Sequence, residues 1–397
     1  MHDGSMRVPS KCVLALLVGA VLVAVYVLLP GRRSSARLSS PAAPPVILMW
    51  TPFFRDQVWS AELKPSACGG EPPCVRTSNR SALSASALVV FHLRDVRVDD
   101  LPPERPRGQR WALFTHESPA YESWLPDALR SAMNWTATYR SDSDVNVLPW
   151  LQKVARPPLP TRNWWANKTR QALWLVSNCK TFSNREGFVR ELSKFIQVDV
   201  VGACGAKGGP SCLPKMAERC YRQASKTYYF YLSLENSICT DYVTEKFFNA
   251  LNWGMVPVVL GGANYSRIAP PGSYIDALAF RNVRQLADHM KLVASDMRLY
   301  NSYHAWRQNY SYAWEDFGCG FCRMLHNSSA PVKAYSDFNE WWFNQARCYT
   351  WKKTFRGSSC WLLNPGLAAV PPKPSPGARL PSSGNVEEHS GLFAIDG

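Results

Sequence analysis

The chain has 397 residues, of which 46% are hydrophobic and 19% charged, so it is neither disordered nor collagen-like and is long enough for two domains. Its formal net charge of +15 favours an acidic partner, such as a nucleic acid, an anionic membrane or an acidic small molecule. The basic residues are scattered, with no run longer than two, so a nucleic-acid-binding stripe is not expected.

The N-terminal region contains an apolar stretch of 18 residues without a charge, 13–30, which is long enough to span a bilayer. We therefore predict a tail at 1–12, a transmembrane signal-anchor at 13–30 and a flexible stem at 31–45. Cationic residues lie on both sides of the stretch, so charge alone does not give its orientation. A cleaved signal peptide is the alternative, although no small-x-small cleavage site follows directly.

Six N-glycosylation sequons and eleven cysteines beyond the apolar stretch indicate a lumenal or extracellular body. The candidate glycosylation sites are Asn79, Asn134, Asn167, Asn264, Asn309 and Asn327. The odd number of cysteines leaves one thiol free or paired between chains. For Cys319 and Cys322 we predict a local structural disulfide, the alternatives being a redox motif or part of a zinc site.

Short apolar runs alternate with amphipathic stretches along the body of the chain. Seven of these runs predict buried strands, at 46–50, 87–92, 110–115, 172–176, 198–201, 228–234 and 256–260. Near-continuous apolar runs are typical of parallel strands covered on both faces. We predict an α/β protein in which two domains with parallel sheets face each other across a cleft. The Pro/Ser-rich tail, 366–397, is predicted to be disordered.

Two strand–helix junctions contain residues that could bind a ligand or take part in catalysis, and the first lies at 177–196. Ser183 is predicted to cap a helix there, with Glu186 completing a capping box. Arg185 then falls in the first helical turn, where unpaired backbone N–H groups already favour an anion. Arg185 can therefore bind a phosphate; a solvent-facing arginine without a ligand fits the local pattern equally well.

The second junction, 228–262, predicts a strand, a turn at 235–237, a helix from an Asp241 cap to about residue 253, and a second strand ending at Gly261-Gly262. Such a βαβ unit places its turn at the carboxyl end of the sheet, where ligands bind. The residues on one face of this helix could cradle a nucleotide sugar, the alternative being an ordinary solvated face. They are Tyr242, Glu245, Lys246 and Asn249.

At this junction the sequence resembles the α1,3-fucosyltransferases, glycosyltransferase family 10. The strongest match is FYLSLENSICTDYVTEKFFNAL, followed by VPVVLGGANY and PPGSYIDAL. Further matches in the family's order are ILMWTPFF, VVFHLRD, RWALFTHESPAY, NWTATYRSDSDV and VSN, so the resemblance covers residues 46–280. The segment GACGAKGGPSC resembles the invertebrate branch of the family.

The resemblance implies a GT-B-like fold of two Rossmann-like domains, an acceptor-side domain at 46–165 and a GDP-fucose-binding domain at 166–365. It implies a single-pass type II Golgi membrane protein with a cytoplasmic tail and a lumenal catalytic part. The implied reaction moves L-fucose from GDP-β-L-fucose, with inversion, to O3 of an N-acetylglucosamine in a glycoprotein or glycolipid glycan. No cofactor is implied, and stimulation by Mn²⁺ stays open. The alternative is an inactive, membrane-anchored glycan-binding protein of the same fold.

The resemblance also implies roles for individual residues. Arg185 and Lys246 match residues that hold the donor diphosphate, and Asn236, Tyr242 and Glu245 match other donor-contacting positions.

Glu117 matches the general base proposed for the family. It would face Arg185 and Lys246, which we call the donor clamp, across the cleft. The structural alternative is that Glu117 caps the turn before Pro119. His116 inherits no role, because that position varies. The Asp142-Ser143-Asp144 motif imitates the manganese site of other glycosyltransferases, but we interpret it as part of the family's YR-x-DSD stretch, without a metal.

Overall fold

The structure is a computed structural model that describes residues 43–54, 68, 73–155, 162–205, 218–330, 333–353 and 359–363. The predicted tail, signal-anchor and disordered C-terminus, at 1–12, 13–30 and 366–397, lie outside these residues, as does most of the predicted stem. Across the described ranges, no helix is both long enough and apolar enough to cross a membrane. The described residues from 44 onward form one compact unit.

A six-stranded parallel sheet forms the first lobe, with strand order β2-β1-β3-β4-β5-β6. The elements are β1 Val46–Met49, β2 Val75–Thr77, β3 Leu88–His92, β4 Arg110–Phe114, the short helix α1 Asp127–Arg130, β5 Trp135–Thr138, β6 Val145–Asn146 and the separate strand β7 Trp150–Lys153. All residues of β3 and β5 are buried, as expected for central parallel strands covered on both faces.

A five-stranded parallel sheet forms the second lobe, with strand order β12-β11-β10-β8-β9. Its strands are β8 Arg170–Leu175, β9 Val198–Val201, β10 Tyr228–Leu234, β11 Val256–Leu260 and β12 Ile275–Asp276. The helices along this part of the chain are α2 Arg185–Leu192, α3 Glu218–Thr227, α4 Glu245–Trp253 and α5 Tyr265–Ile268. The β10–α4–β11 segment is the predicted βαβ unit, which is therefore confirmed.

The remaining elements extend both lobes. They are α6 Val283–Ser295, α7 Met297–Ser302, β13 Tyr310–Ala313, α8 Phe317–His326, β14 Tyr349–Lys353 and β15 Ser359–Leu363. Strand β13 pairs antiparallel with β7, and β14 pairs antiparallel with β15. Helix α6 covers the second sheet because Val283, Leu286, Met290 and Val293 recur every three or four residues and are buried in its core.

All seven predicted strands are confirmed, each with both ends within two residues of the prediction. The two predicted parallel sheets are confirmed as well. One buried cluster joins the lobes: Leu48, Phe91 and Leu113 of the first sheet share it with Phe247 and Val259 of the second lobe. This shared core fixes the position of one sheet relative to the other.

The predicted capping box at the first junction is wrong. Helix α2 begins at Arg185, and its cap residue is Asn184, which is in the left-handed conformation and makes no side-chain capping bond. Within the helix, the Ser183 hydroxyl accepts only from the backbone N–H of Arg185, over 3.3 Å. Glu186 accepts hydrogen bonds from the backbone and hydroxyl of Thr181 instead, and the Ser183 hydroxyl donates to the carbonyl of Glu235. Ser183 therefore connects the loop before α2 to the end of β10.

The predicted Asp241 cap of the second helix is also wrong, although the helix does end at Trp253. Helix α4 begins four residues later than Asp241, at Glu245. Asp241 adopts a positive φ of 64°, and its carboxylate accepts hydrogen bonds from the backbone and hydroxyl of Ser141 in the first lobe. The Asp241 side chain, which the local sequence pattern assigned to the helix cap, thus forms a contact between the lobes instead.

The predicted local disulfide between Cys319 and Cys322 is wrong as well, because each cysteine pairs with a distant one. Disulfides join Cys68 to Cys319 and Cys74 to Cys322, which attaches helix α8 to the first lobe. The same helix packs through Gly320 against Val145 of the first sheet. The chain therefore returns from the second lobe to complete the core of the first. Two further disulfides between described residues join Cys179 to Cys204 and Cys239 to Cys348.

Candidate active site

The two sheets meet through the loops at the carboxyl ends of their central strands β4 and β10. We call these loops, 115–121 and 235–244, the interlobe junction. The hydroxyl of Ser118 donates a buried hydrogen bond of 2.6 Å to the hydroxyl of Ser237. The carboxyl ends of parallel strands are where α/β sheets bind ligands, so the interlobe junction is the expected position of a site.

Arg185 is the first residue of α2, and its side chain is buried beside the interlobe junction. Its guanidinium donates to the carbonyl of Leu234 over 2.6 Å and to that of Asn178 over 3.2 Å, while its buried Nε has no partner within the described part of the chain. Burial lowers the pKa of this guanidinium, and the charge of Glu235 offsets part of that effect. A fixed, buried cation with an unused donor is suited to an anion.

Lys246 lies in the first turn of α4 and is surrounded by two carboxylates. Its Nζ is 3.0 Å from an oxygen of Glu245, 3.7 Å from an oxygen of Glu235 and 3.0 Å from the hydroxyl of Thr244. Burial alone would lower the pKa of Lys246, but the charges of Glu245 and Glu235 outweigh it and raise that pKa. Burial would likewise raise the pKa of Glu245, and Lys246 lowers it below its usual value.

Asn236 and Tyr242 occupy the interlobe junction itself. The backbone carbonyl of Asn236 accepts from the backbone of Ser183, and its buried Oδ1 has no partner among the described residues. Tyr242 precedes α4, so the prediction that it shares a helix face with Glu245 and Lys246 is wrong. Its ring is buried edge-on against Tyr139 of the first lobe, with centroids 4.8 Å apart.

Glu117 lies in the first-lobe loop of the interlobe junction and is partly buried. Its backbone N–H donates over 3.0 Å to the hydroxyl of Thr115, and that hydroxyl donates over 2.7 Å to Glu122. Burial raises the pKa of Tyr242 well above its usual value, and the charge of Glu117 contributes in the same direction. The charge of the Glu117 carboxylate therefore acts on a residue of the second lobe.

His116, next to Glu117, is poorly suited to accept a proton. Burial lowers the pKa of His116 to about 4, although the charge of Glu245 opposes this, so His116 is a neutral and weak base near pH 7.

The two aspartates of the Asp142-Ser143-Asp144 motif form hydrogen bonds and ion pairs within the protein. Asp142 accepts from Arg140 over 2.8 Å and from the Trp341 indole over 2.9 Å. Asp144 pairs with Lys333 over 2.7 Å. Both aspartates therefore have protein partners that a manganese ion would have to displace.

A metal site is also not supported by the other candidate ligands. In the ranges that the structure describes, the one cluster with suitable spacing is Cys74, Cys322 and His326. Two of these residues form a disulfide with each other, so their sulfur atoms are not thiolate ligands.

Two acidic residues at the site have no predicted role from the sequence. Glu235 is part of the predicted turn after β10, but only the fold shows that its side chain is fully buried beside Lys246. Glu122 has a fully buried side chain 3.7 Å from Arg94. No local sequence pattern indicates a role for Glu122, because its contacts with Arg94 and Thr115 depend on how the loop after β4 packs.

Two consecutive parts of the chain match models of protein families. Residues 42–151 match "Fucosyltransferase, N-terminal", and residues 165–341 match "Glycosyltransferase family 10 (fucosyltransferase) C-term". Alpha-(1,3)-fucosyltransferase C of Drosophila melanogaster is 37% identical over 340 residues, which are 76% of this chain and 78% of that protein. Human alpha-(1,3)-fucosyltransferase 7 is 36% identical over 347 residues, 83% of this chain and 95% of that protein. The chain belongs to glycosyltransferase family 10, the fucosyltransferases.

A crystal structure of an alpha1,3-fucosyltransferase with GDP-fucose is also similar to this chain. The two share 14% sequence identity and a TM-score of 0.48, over 73% of this chain and 93% of that one. This likeness is too weak to add to the family assignment.

Glu122 should make the stability of the protein depend on pH. Burial raises the pKa of Glu122 to about 8, so the folded state keeps a proton that the unfolded state releases above its ordinary pKa of 4.5. Stability from this group is therefore present below pH 4.5 and is lost as the pH rises to 8. We expect the melting temperature of Glu122→Gln, relative to that of the wild type, to rise steadily as the pH increases from 4.5 to 8. Exposed Glu104→Gln is the matched control, and an equally flat difference in both variants would contradict the burial argument.

Proposed function

We propose that this protein transfers L-fucose from GDP-β-L-fucose to O3 of an N-acetylglucosamine, forming an α1,3 linkage on a glycoprotein or glycolipid glycan. The observation that carries the proposal is a pair of cations in the second lobe, the buried Arg185 and the largely buried Lys246, beside the interlobe junction whose first-lobe loop contains Glu117. The names of the relatives, alpha-(1,3)-fucosyltransferases from an insect and a mammal, support the transferred sugar and the linkage.

The proposed donor site lies in the second lobe. Arg185 and Lys246 bind the diphosphate, and the unused oxygen of Asn236 accepts a hydrogen bond from the donor. Glu245 contacts the donor once Lys246 turns toward the phosphates, and Tyr242 forms the buried wall of the site. Two fixed positive charges in a water-poor site stabilise the departing GDP, which is the role that a metal ion has in other enzymes. No resident metal is therefore part of the proposal.

The proposed reaction is a single in-line displacement, which inverts the anomeric centre. Glu117 takes the proton from the acceptor hydroxyl as oxygen attacks the fucose carbon, and GDP departs on the side of the cations. Separate locations for the base and the leaving-group clamp suit this geometry, because the attacking and departing oxygens lie on opposite sides of the reacting carbon.

The alternative is an inactive glycan-binding protein of the same fold. The presence of Glu117, Arg185 and Lys246 together favours the enzyme. The test is incubation of the purified chain from residue 40 with labelled GDP-fucose and a panel of core N-glycan and lactosamine acceptors. Transfer to one of these acceptors supports the enzyme and identifies the acceptor class; binding of GDP-fucose without transfer to any of them supports the alternative.

We also propose that the protein is a type II Golgi membrane protein whose residues 31–397 are lumenal. Five of the six sequon asparagines are exposed, which supports this placement: Asn79, Asn167, Asn264, Asn309 and Asn327. Asn134 differs, because its Nδ2 donates to the carbonyl of Lys333 over 2.7 Å and its Oδ1 accepts from the backbone of Trp111 over 2.9 Å.

Glycosylation should therefore be selective. In secretory cells we expect several of the five exposed asparagines to carry glycans and Asn134 to carry none, because a glycan on Nδ2 would crowd its internal hydrogen bond. Glycosidase digestion with a mobility shift, followed by peptide mass spectrometry, measures occupancy at each site. Asn79→Gln is the matched control for Asn134→Gln, and only the former should remove a glycan. A protein without any mobility shift would contradict the lumenal placement.

Removal of either donor cation should weaken the donor site. Each charge-assisted hydrogen bond contributes about 1.5–3 kcal/mol, so Arg185→Ala and Lys246→Ala should each lower GDP-fucose binding or turnover by about ten- to a hundredfold. Steady-state kinetics and GDP calorimetry measure the loss. Exposed Arg190→Ala, on the same helix as Arg185, should behave as wild type. Normal GDP-fucose kinetics in both site variants would refute the assignment.

Replacement of the proposed base should affect turnover and not donor binding. Glu117→Gln keeps the shape of the side chain but cannot take the acceptor proton, so turnover should fall by about 10²–10⁴-fold. GDP affinity should barely change, because Glu117 lies on the acceptor side of the interlobe junction. Turnover, GDP binding and melting temperature are measured on one preparation. A folded Gln variant with nearly full turnover would mean that Glu117 only caps the turn before Pro119.

A further inference from the structure

We propose that Glu235 is a positioning residue that holds Lys246 toward the donor diphosphate through the hydroxyl of Thr244. This inference rests on the proposed function, since it explains how the donor clamp is kept in place. Glu235 itself is too deeply buried to be a ligand of the sugar nucleotide: none of its surface is exposed, whereas the side chains of Glu245 and Lys246 are 17% and 20% exposed.

The carboxylate of Glu235 is bound to the start of helix α4. Its Oε1 accepts from the backbone N–H of Thr244 over 2.9 Å, and its Oε2 accepts from the Thr244 hydroxyl over 2.8 Å. A threonine directly before a helix ordinarily uses its hydroxyl to accept a bond from the helix backbone, but Thr244 makes no such capping bond. Glu235 therefore takes both polar groups of the residue that begins the helix.

The Thr244 hydroxyl connects this carboxylate to Lys246. The hydroxyl donates its one proton to Glu235 and accepts from the ammonium of Lys246 over 3.0 Å. The ammonium also lies 3.7 Å from Oε2 of Glu235, which is close enough for direct attraction. A hydrogen-bonded chain of ammonium, hydroxyl and carboxylate leaves the other N–H groups of the ammonium for Glu245 and for an incoming anion.

Charge balance explains why two carboxylates are present. Burial raises the pKa of Glu235, and the charge of Lys246 opposes that rise. With both carboxyl groups ionised, Glu235 and Glu245 balance the two positive charges of Arg185 and Lys246, so the cluster is neutral without a donor. A diphosphate competes for the ammonium with Glu245, which can turn outward because it is partly exposed. Glu235 is fully buried and cannot turn outward, so it remains as the counter-ion that stabilises the largely buried ammonium when Glu245 turns away.

The backbone beside Glu235 also connects to the other cation. The carbonyl of Leu234 accepts from the Arg185 guanidinium, and the carbonyl of Glu235 accepts from the hydroxyl of Ser183 over 2.7 Å. The last residue of β10 and the first residue after it thus contact the segments that carry both cations. One short segment of chain sets the distance between the two phosphate-binding groups.

A double-mutant cycle tests whether Glu235 acts through Lys246. GDP affinity is measured by calorimetry for the wild type, Glu235→Gln, Lys246→Ala and the double variant. We expect Glu235→Gln alone to weaken GDP binding about tenfold and to cost little further affinity in the Lys246→Ala background, because coupled residues do not add. Additive losses, or wild-type affinity in Glu235→Gln, would overturn the inference. A wild type that does not bind GDP would instead refute the proposed function.

The Thr244 pair of variants keeps the test decisive if Glu235→Gln does not fold. Thr244→Val has nearly the same shape but lacks the hydroxyl, whereas Thr244→Ser keeps it. We expect Thr244→Val to weaken GDP binding about five- to tenfold, and Thr244→Ser to restore most of that loss. Equal affinities in the two variants would overturn the inference. Asp144→Asn, which removes a carboxylate–lysine pair in the first lobe, is the matched control and should bind GDP as the wild type does.

Discussion

The buried hydrogen bond between Ser118 and Ser237 joins the two loops on which the chemistry of this protein depends. Each serine follows a central parallel strand, so the bond joins the carboxyl end of one sheet to that of the other. Two further contacts repeat the connection, the Tyr139–Tyr242 ring pair and the hydrogen bonds from Ser141 to Asp241. Because a hydrophobic cluster is also shared between the lobes, the position of Glu117 relative to Lys246 is a property of the fold.

The ionisable groups around the interlobe junction are arranged in a way that fits the proposed reaction. The first lobe contributes the carboxyl group of Glu117, and the second contributes the cations Arg185 and Lys246. In that reaction, a proton leaves the acceptor on the first side, and negative charge develops on the departing diphosphate on the second. Burial strengthens each of these interactions, since low-polarity surroundings weaken electrostatic screening by water. It also requires counter-ions, which accounts for Glu235 and Glu245 beside the cations.

The sequence predicts the sheets well and the loops poorly, for one physical reason. Strands such as 228–234 and 256–260 are buried on both faces. Burial on both faces requires an unbroken run of apolar residues, which can be recognised in the local sequence. The predicted helix starts failed where the expected caps bind distant groups: Ser183 donates to the carbonyl of Glu235, and Asp241 accepts from Ser141. The disulfides of Cys319 and Cys322 span 251 and 248 residues, and no local spacing reveals partners so far along the chain.

The same distinction holds for the site. Arg185 and Lys246 could be proposed from the patterns of the two strand–helix junctions, whereas Glu117 is proposed from the family resemblance. The loops and helices that carry all three lie around one junction of the fold. The burial of Tyr242 and the role of Glu235 could not be predicted, because both depend on contacts that form only when the lobes and helix α4 are in place.

The most direct measurement is a crystal structure of the protein with GDP and an acceptor glycan bound. The account predicts the diphosphate between Arg185 and Lys246, with the Glu117 carboxylate within about 2.6–3.2 Å of the acceptor hydroxyl that is to be fucosylated. A diphosphate bound away from these two cations, or a Glu117 side chain directed away from the acceptor, would contradict it.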